Sequence, residues 1–171
     1  MRKELIEVGQ IVNTHGVRGE CKLHPLGFTP EFISKFKTLY IDGIARETST
    51  RRIHGSELLI SFPDVTDMNE ALRLKGKFVS IRRSDAKLKK NEYFDEELLG
   101  LEVMDYPFRR YVGELTEVLT YPAHKVYQVV NKEKHKTYLI PAVQDIFIAE
   151  IDMDDNRMVV KMMEGLAVDE D

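Results

Sequence analysis

This chain has little that metal or redox chemistry would need. It holds one cysteine, Cys21, so no internal disulfide can form, and a lone thiol agrees with a reducing compartment. No run approaches the ~20 apolar residues of a membrane span. The opening MRKELIEVGQ lacks the apolar core of a signal peptide, so the expected compartment is the cytoplasm, with no membrane partner. No Cys/His spacing matches a zinc site, and no Gly-rich loop followed by Lys and Ser or Thr is present to cradle a phosphate. Neither a metal nor a cofactor is expected. Internal repeats are absent, and the acidic end Val168-Asp169-Glu170-Asp171 is expected to fray.

What is present is a folded chain with an uneven charge. Its 171 residues are 43% hydrophobic and 32% charged, as in folded soluble proteins. Residues 1–90 carry 17 Lys+Arg against 11 Asp+Glu, and the remainder 8 against 18, which is +6 followed by −10. The break falls in Arg82–Gly100, RRSDAKLKKNEYFDEELLG, which opens basic, closes acidic and holds the adjacent aromatics Tyr93 and Phe94. Two units of opposite character are expected, with boundaries at 1–83 and 98–171 and a linker over 84–97. The linker is either plain solvated chain or itself a contact surface, since aromatics between charges make good anchors.

The pattern along both units is that of strands. Leu5 to Pro25 reads as two strands joined at Asn13-Thr14-His15-Gly16, with Gly9 as a bulge and Gly19 inside the return strand at a close backbone approach. A helical turn over Pro30–Phe36 has Thr29 as its cap. Thr38–Ile41 is a strand ended by Asp42-Gly43, and Arg46–His54 pairs with Glu57–Phe62 around Gly55-Ser56. Thr66 or Asp67 caps a helix with Glu70 in the reciprocal position, Gly76 closes it, and Phe78–Arg82 alternates as a final strand. In the second unit the strands are expected over Leu98–Asp105, Gly113–Leu119, Val126–Asn131, Thr137–Ile140, Asp145–Asp152 and Arg157–Met162. The expected fold class is all-β, with two small β-barrels: about six strands and one helix in the first, five or six strands in the second.

The candidate reactive residues are His15, Glu20, Cys21 and His24. Cys21 and His24 differ by an odd number of positions and project to opposite faces of a strand, so they cannot readily share a metal or a proton. Arg18 and Glu20 are expected either to pair on one strand face or to present a charged edge. The basic residues of the first half can form a stripe that neutralises phosphates, but an excess of +6 suits modest positioning contacts with RNA. The expected RNA contacts are Arg51, Arg52, Arg82, Arg83, Lys87, Lys89 and Lys90. The acidic half repels phosphate and attracts a basic protein. In an extended linker Tyr93 and Phe94 face opposite ways, so one is buried while the other is presented.

Several motifs together carry a resemblance. Val8-Gly9-Gln10-Ile11-Val12-Asn13-Thr14-His15-Gly16-Val17-Arg18-Gly19-Glu20 resembles the opening signature of the RimM family. The likeness continues at Glu70–Lys77, at Glu92-Tyr93-Phe94 with Leu98-Leu99-Gly100-Leu101, at Leu139-Ile140-Pro141-Ala142, and at Glu150-Ile151-Asp152 with Glu164-Gly165-Leu166. It implies an N-terminal six-stranded barrel like that of translation factors and a C-terminal PRC-type barrel. It also implies a non-enzymatic ribosome maturation factor, which binds the immature small (30S) ribosomal subunit near its head, contacts ribosomal protein uS19 and assists 16S rRNA folding and processing. The family usually has two adjacent linker tyrosines implicated in subunit binding, where this chain has Tyr93 and Phe94. It often has Asn-Asp where this chain has His124-Lys125, and a proline where Met163 stands. The expected partner-binding residues are Tyr93, Phe94, His15, Arg18, Glu20 and Lys125, on a monomer. The alternatives are an RNA-modifying or RNA-cleaving enzyme using His15 and Glu20, and a general interaction adaptor built on the PRC-type barrel.

Overall fold

The structure is a computed structural model that describes residues 4–89 and 92–168. The chain divides into two compact all-β units, which meet between Leu88 and Lys89.

The first unit is a sheet of seven strands, β1 (Leu5–His15), β2 (Glu20–Pro25), β3 (Thr38–Ile41), β4 (Ile44–Glu47), β5 (Thr50–His54), β6 (Glu57–Ser61) and β7 (Phe78–Arg82), in the order β4-β3-β7-β1-β2-β6-β5. The added strand relative to six is β4. Asp42 and Gly43 both have positive φ, 52° and 76°, the geometry of a two-residue hairpin turn. The chain therefore folds straight back, pairing Ile41 with Ile44, and Arg46 belongs to that hairpin and not to the arm before His54. Strand β1 pairs with β7 over its first half and β2 over its second, with register shifts between Glu7 and Gly9 and between Ile11 and Asn13.

Local signals place the two short helices. In α1 (Pro30–Ser34) the Thr29 side chain accepts the Phe32 N–H. In α2 (Met68–Leu72) Asp67 is the cap, accepting the Glu70 N–H at 2.8 Å, while the Glu70 carboxylate reaches back to the Thr66 N–H. Each cap satisfies an N–H that the first turn leaves without a partner. The core of this unit takes Ile6, Val8 and Ile11 from β1, Cys21 and Leu23 from β2, Leu58 and Ile60 from β6, and Val79 and Ile81 from β7, all fully buried.

The β1–β2 turn lies later than Asn13-Gly16, because β1 stays paired as far as His15 with Glu20. Gly19 sits in that turn at φ 90°, where an added Cβ would fall 2.6 Å from the Val65 carbonyl oxygen. The close backbone approach expected at Gly19 is thus present, in the turn and not within the strand.

The second unit is also seven-stranded: β8 (Glu102–Asp105), β9 (Tyr111–Thr120), β10 (Lys125–Asn131), β11 (Lys136–Pro141), β12 (Ile148–Asp152), β13 (Arg157–Val160) and β14 (Ala167–Val168), in the order β12-β13-β8-β9-β10-β11-β14. All neighbours are antiparallel except β13 and β8. The strand expected over Leu98–Asp105 is shorter than that, because Asp95–Leu98 forms helix α3. The Glu97 carboxylate accepts the Phe94 N–H at 3.0 Å, and three acidic residues in one turn suit the positive end of a helix. Strand β12 likewise starts at Ile148, after a turn in which Asp145 has φ 66°. The core is built from Leu101, Val103, Leu115, Val129, Ile140, Ile148, Met158 and Val160, each fully buried.

Gly16 and Gly19 make a controlled pair for stability. Both have positive φ, but nothing lies within 4 Å of a Cβ added at Gly16. Gly16→Ala is expected to cost about 1 kcal/mol from backbone strain alone. Gly19→Ala should cost a further ~1–3 kcal/mol from overpacking against Val65. Urea unfolding of both variants checks the difference, and equal losses would refute the close-approach explanation.

Candidate partner-binding surfaces

At the tip of the first unit the β1–β2 turn and strand β5 bring His15, Arg18, Glu20, Thr50 and Arg52 around a cavity of about 510 Å³. Glu20 does not pair with Arg18. Its carboxylate accepts two hydrogen bonds from Arg52, at 2.8 and 3.4 Å, because β2 and β5 both flank β6 and put the two side chains on one face. Arg18 remains in the exposed turn. The His15 ring lies 5.4 Å from that of His54, tilted by 54°. The two residues of the enzyme alternative therefore have separate partners: Glu20 is held by a guanidinium and His15 sits against a second imidazole.

Cys21 and His24 diverge as alternation requires, Cys21 buried and His24 exposed. Burial pushes the Cys21 thiol up to about 11, against a smaller opposing pull from Arg46. Nearby, Arg46 is held by Asp64 at 2.8 Å and stacks over Phe62 at 5.0 Å. The hydrogen bond from Arg46 keeps the Asp64 carboxyl below its ordinary range. Among the described residues no group of three or more His, Cys, Asp or Glu is placed to hold a metal, and no helix is long and apolar enough to cross a membrane.

The expected basic stripe is not one set of residues with one job. Arg51 is half-buried, donating from Nε to the Ser34 carbonyl at 2.9 Å and from Nη1 to the Thr48 hydroxyl at 2.7 Å. Thr48 is itself buried and donates to the Lys37 carbonyl. Arg51 thus ties α1 to the β4–β5 connection, which is a structural duty. Arg52 belongs to Glu20. Arg82 lies over the Tyr40 ring at 5.3 Å with its side chain exposed. Arg83 opens a 3₁₀ turn over Arg83–Ala86 and is half-buried. Lys87, at φ 51°, and Lys89 are exposed. Lys90 lies outside the described residues, as do Asp169, Glu170 and Asp171 of the acidic end.

In the second unit a groove of about 650 Å³ is lined by Lys89, Glu92, Tyr93, Asp95, Lys125 and Tyr127, among others. Tyr93 and Phe94, just before α3, differ in burial. Tyr93 is half-buried on the groove, while Phe94 is 8% exposed. Phe94 is therefore packed inside, and Tyr93 is the presented member of the pair. Lys125 sits at the rim, its Nζ bonded to both Asp95 oxygens at 2.7 and 2.8 Å. The Glu92 carboxylate accepts the Lys89 backbone N–H. Tyr127 stands on the core-facing side of β10 with Val129 and Asn131, and burial, reinforced by the Asp95 charge, raises its phenol to about 12. Asp95 and Tyr127 were missed in the sequence. A tyrosine on the core face of a strand, needing an outlet for its hydroxyl, was the available signal.

The family model for the RimM N-terminal domain matches residues 6–86, and that for the RimM PRC barrel domain matches residues 95–166. This chain belongs to the RimM family. It is 37% identical over 174 residues to the ribosome maturation factor RimM of Acetivibrio thermocellus, covering 98% of each chain. The corresponding RimM protein of Symbiobacterium thermophilum is 36% identical, covering 98% of this chain and 97% of its own. A crystal structure described as a 16S ribosomal RNA processing protein RimM from Pseudomonas aeruginosa is 26% identical, with a TM-score of 0.45, and covers 93% of this chain and 98% of that one. The RimM match thus covers both units, each by its own domain model.

The buried thiol makes a pH prediction. The unfolded Cys21 thiol ionises from about pH 9, whereas the folded one holds its proton to about 11. Its contribution to stability is whole below pH 9 and is lost as pH rises through 11. Cys21→Ala should therefore show a smaller drop in urea midpoint than wild type between pH ~8 and ~11. Parallel drops would contradict a proton held by burial.

Proposed function

We propose that this chain is a non-catalytic ribosome maturation factor that binds the immature 30S subunit near its head. Its acidic C-terminal unit holds the basic ribosomal protein uS19, and its basic N-terminal unit restrains nearby 16S rRNA until the local fold is correct. The relatives that carry the name ribosome maturation factor support the general role. The observation that carries the specific reading is the Tyr93 groove on the half of the chain that carries −10. A half-buried aromatic beside carboxylates suits a cationic polypeptide: the ring supplies contact area and the field speeds encounter.

The RNA contacts proposed are Arg82, Lys87 and Lys89, whose side chains are exposed. Arg51 and Arg52, held by their own neighbours, contribute less. Such contacts position without binding strongly, and they weaken as salt rises. The exposed turn with Arg18 and the neighbouring His15 is assigned to partner contact, with Glu20, engaged by Arg52, at its edge. The protein acts as a monomer in the cytoplasm.

Gradient sedimentation with immature and mature small subunits tests this. Wild type should travel with immature subunits, and Tyr93→Ala should lose about 2 kcal/mol or more of binding with a smaller fall in melting temperature than Phe94→Ala. Phe94→Ala should instead lower stability by about 3 kcal/mol, as removal of a buried ring does. Wild-type affinity in the Tyr93 variant would refute the groove as the contact. Failure to associate with subunits at all would favour the adaptor alternative.

A further inference from the structure

The hairpin tip between β8 and β9 shares no residue with the Tyr93 groove and has no part in that clamp. It leaves Tyr106, Phe108 and Tyr111 exposed at 57%, 75% and 47%. Three rings exposed at one tip mark a contact surface. The tip is held in shape by hydrogen bonds. The Asp105 carboxylate accepts the Arg110 backbone N–H at 2.7 Å and Arg110 Nε at 3.1 Å, and the Arg109 N–H donates to the Asp105 carbonyl at 2.8 Å. Arg109 has φ 55°, a conformation disfavoured for a residue with a Cβ.

Cations stand beside these rings. The Arg110 guanidinium carbon is 5.5 Å from the Phe108 centroid, and Lys161 Nζ is 5.6 Å from that of Tyr106, within cation–π range. Arg109 is bonded to Glu150 at 2.9 Å, with 60% and 46% of the two side chains exposed. The Asp105 side chain is only 14% exposed and is committed to the loop. An approaching molecule therefore meets rings with Arg110 and Lys161 against their faces, on a unit that is acidic as a whole. Such a surface repels the basic polypeptide suited to the Tyr93 groove. It also suits a duplex poorly, because paired bases keep their faces covered. Exposed ring faces flanked by Arg and Lys fit unpaired bases and their phosphates.

We propose that the β8–β9 tip is a second binding site of the C-terminal unit, for single-stranded RNA. An unpaired base stacks on Phe108, while Lys161 meets an adjoining phosphate and Arg109 exchanges Glu150 for another. The C-terminal unit then has one groove for protein and one aromatic tip for RNA.

Fluorescence anisotropy of a labelled oligouridylate with the full chain at low salt tests this without any ribosomal subunit, and the Phe108 variants separate binding at the tip from binding at Arg82, Lys87 and Lys89. Phe108→Ala should weaken binding about tenfold, Phe108→Tyr should preserve it, and Tyr93→Ala should leave it unchanged. Arg109→Gln should flatten the salt dependence by about 0.7 in logarithmic slope. All four substitutions fall on exposed or half-exposed side chains, and unchanged melting temperatures would confirm that the fold survives. The proposal is overturned if wild type binds no oligouridylate, if Phe108→Ala binds it as well as wild type, or if an RNA duplex binds as tightly as the single strand. It is equally overturned if Phe108→Ala spares the oligonucleotide and instead loses a basic ribosomal protein, which would make the tip a protein contact.

Discussion

A pleated strand sends successive side chains to opposite sides, and both halves of this protein are built on that constraint. It puts Cys21 inside and His24 outside, with no shared chemistry between them. It sends Tyr127 toward the core with Val129, and Tyr127 also lines the groove. Outside any strand, just before α3, Phe94 is buried while Tyr93 faces a groove. Each functional side chain on a strand is thus positioned by neighbours whose own burial fixes the register. A shift of one residue would exchange the two sets.

Charge acts on top of that frame at two scales. Summed over each half, the chain is positive and then negative, which sets the long-range field met by a nucleic acid or a basic protein. At contact distance the account differs, because many of these charges already have partners. Arg51 is tied to Ser34 and Thr48, Arg52 to Glu20, Arg46 to Asp64 and Lys125 to Asp95. An exposed pair of this kind holds its geometry with little net stabilisation, and it takes part of the local charge out of play. The side chains that remain presented define the surfaces, and they do not follow the average. The acidic unit exposes three rings at Tyr106–Tyr111, two of them beside Arg110 and Lys161.

Much of the architecture was legible because its causes are local. Thr29 and Asp67 cap their helices through hydrogen bonds that span three residues. Thr38–Ile41 and Phe78–Arg82 are strands with the expected limits, and the motif order placed the chain in its family. The hairpin at Asp42-Gly43 was readable as a strand end but not as the start of a new strand, since a turn dipeptide fits a loop and a hairpin equally well. In the second unit, helix α3 replaced the start of an expected strand because Glu97 bonds back to Phe94, a choice that an apolar Leu98-Leu99 pair conceals.

What the sequence by itself determined was the all-β class, the charge division and the helix caps. These rest on period, composition and bonds between near neighbours. Only the tertiary structure decided that β13 lies parallel to β8, that Glu20 takes Arg52 and not Arg18, that Arg51 serves the fold, and which ring is presented. Those outcomes depend on residues tens of positions apart being brought onto one face by strand pairing, and no local window of the chain contains both partners.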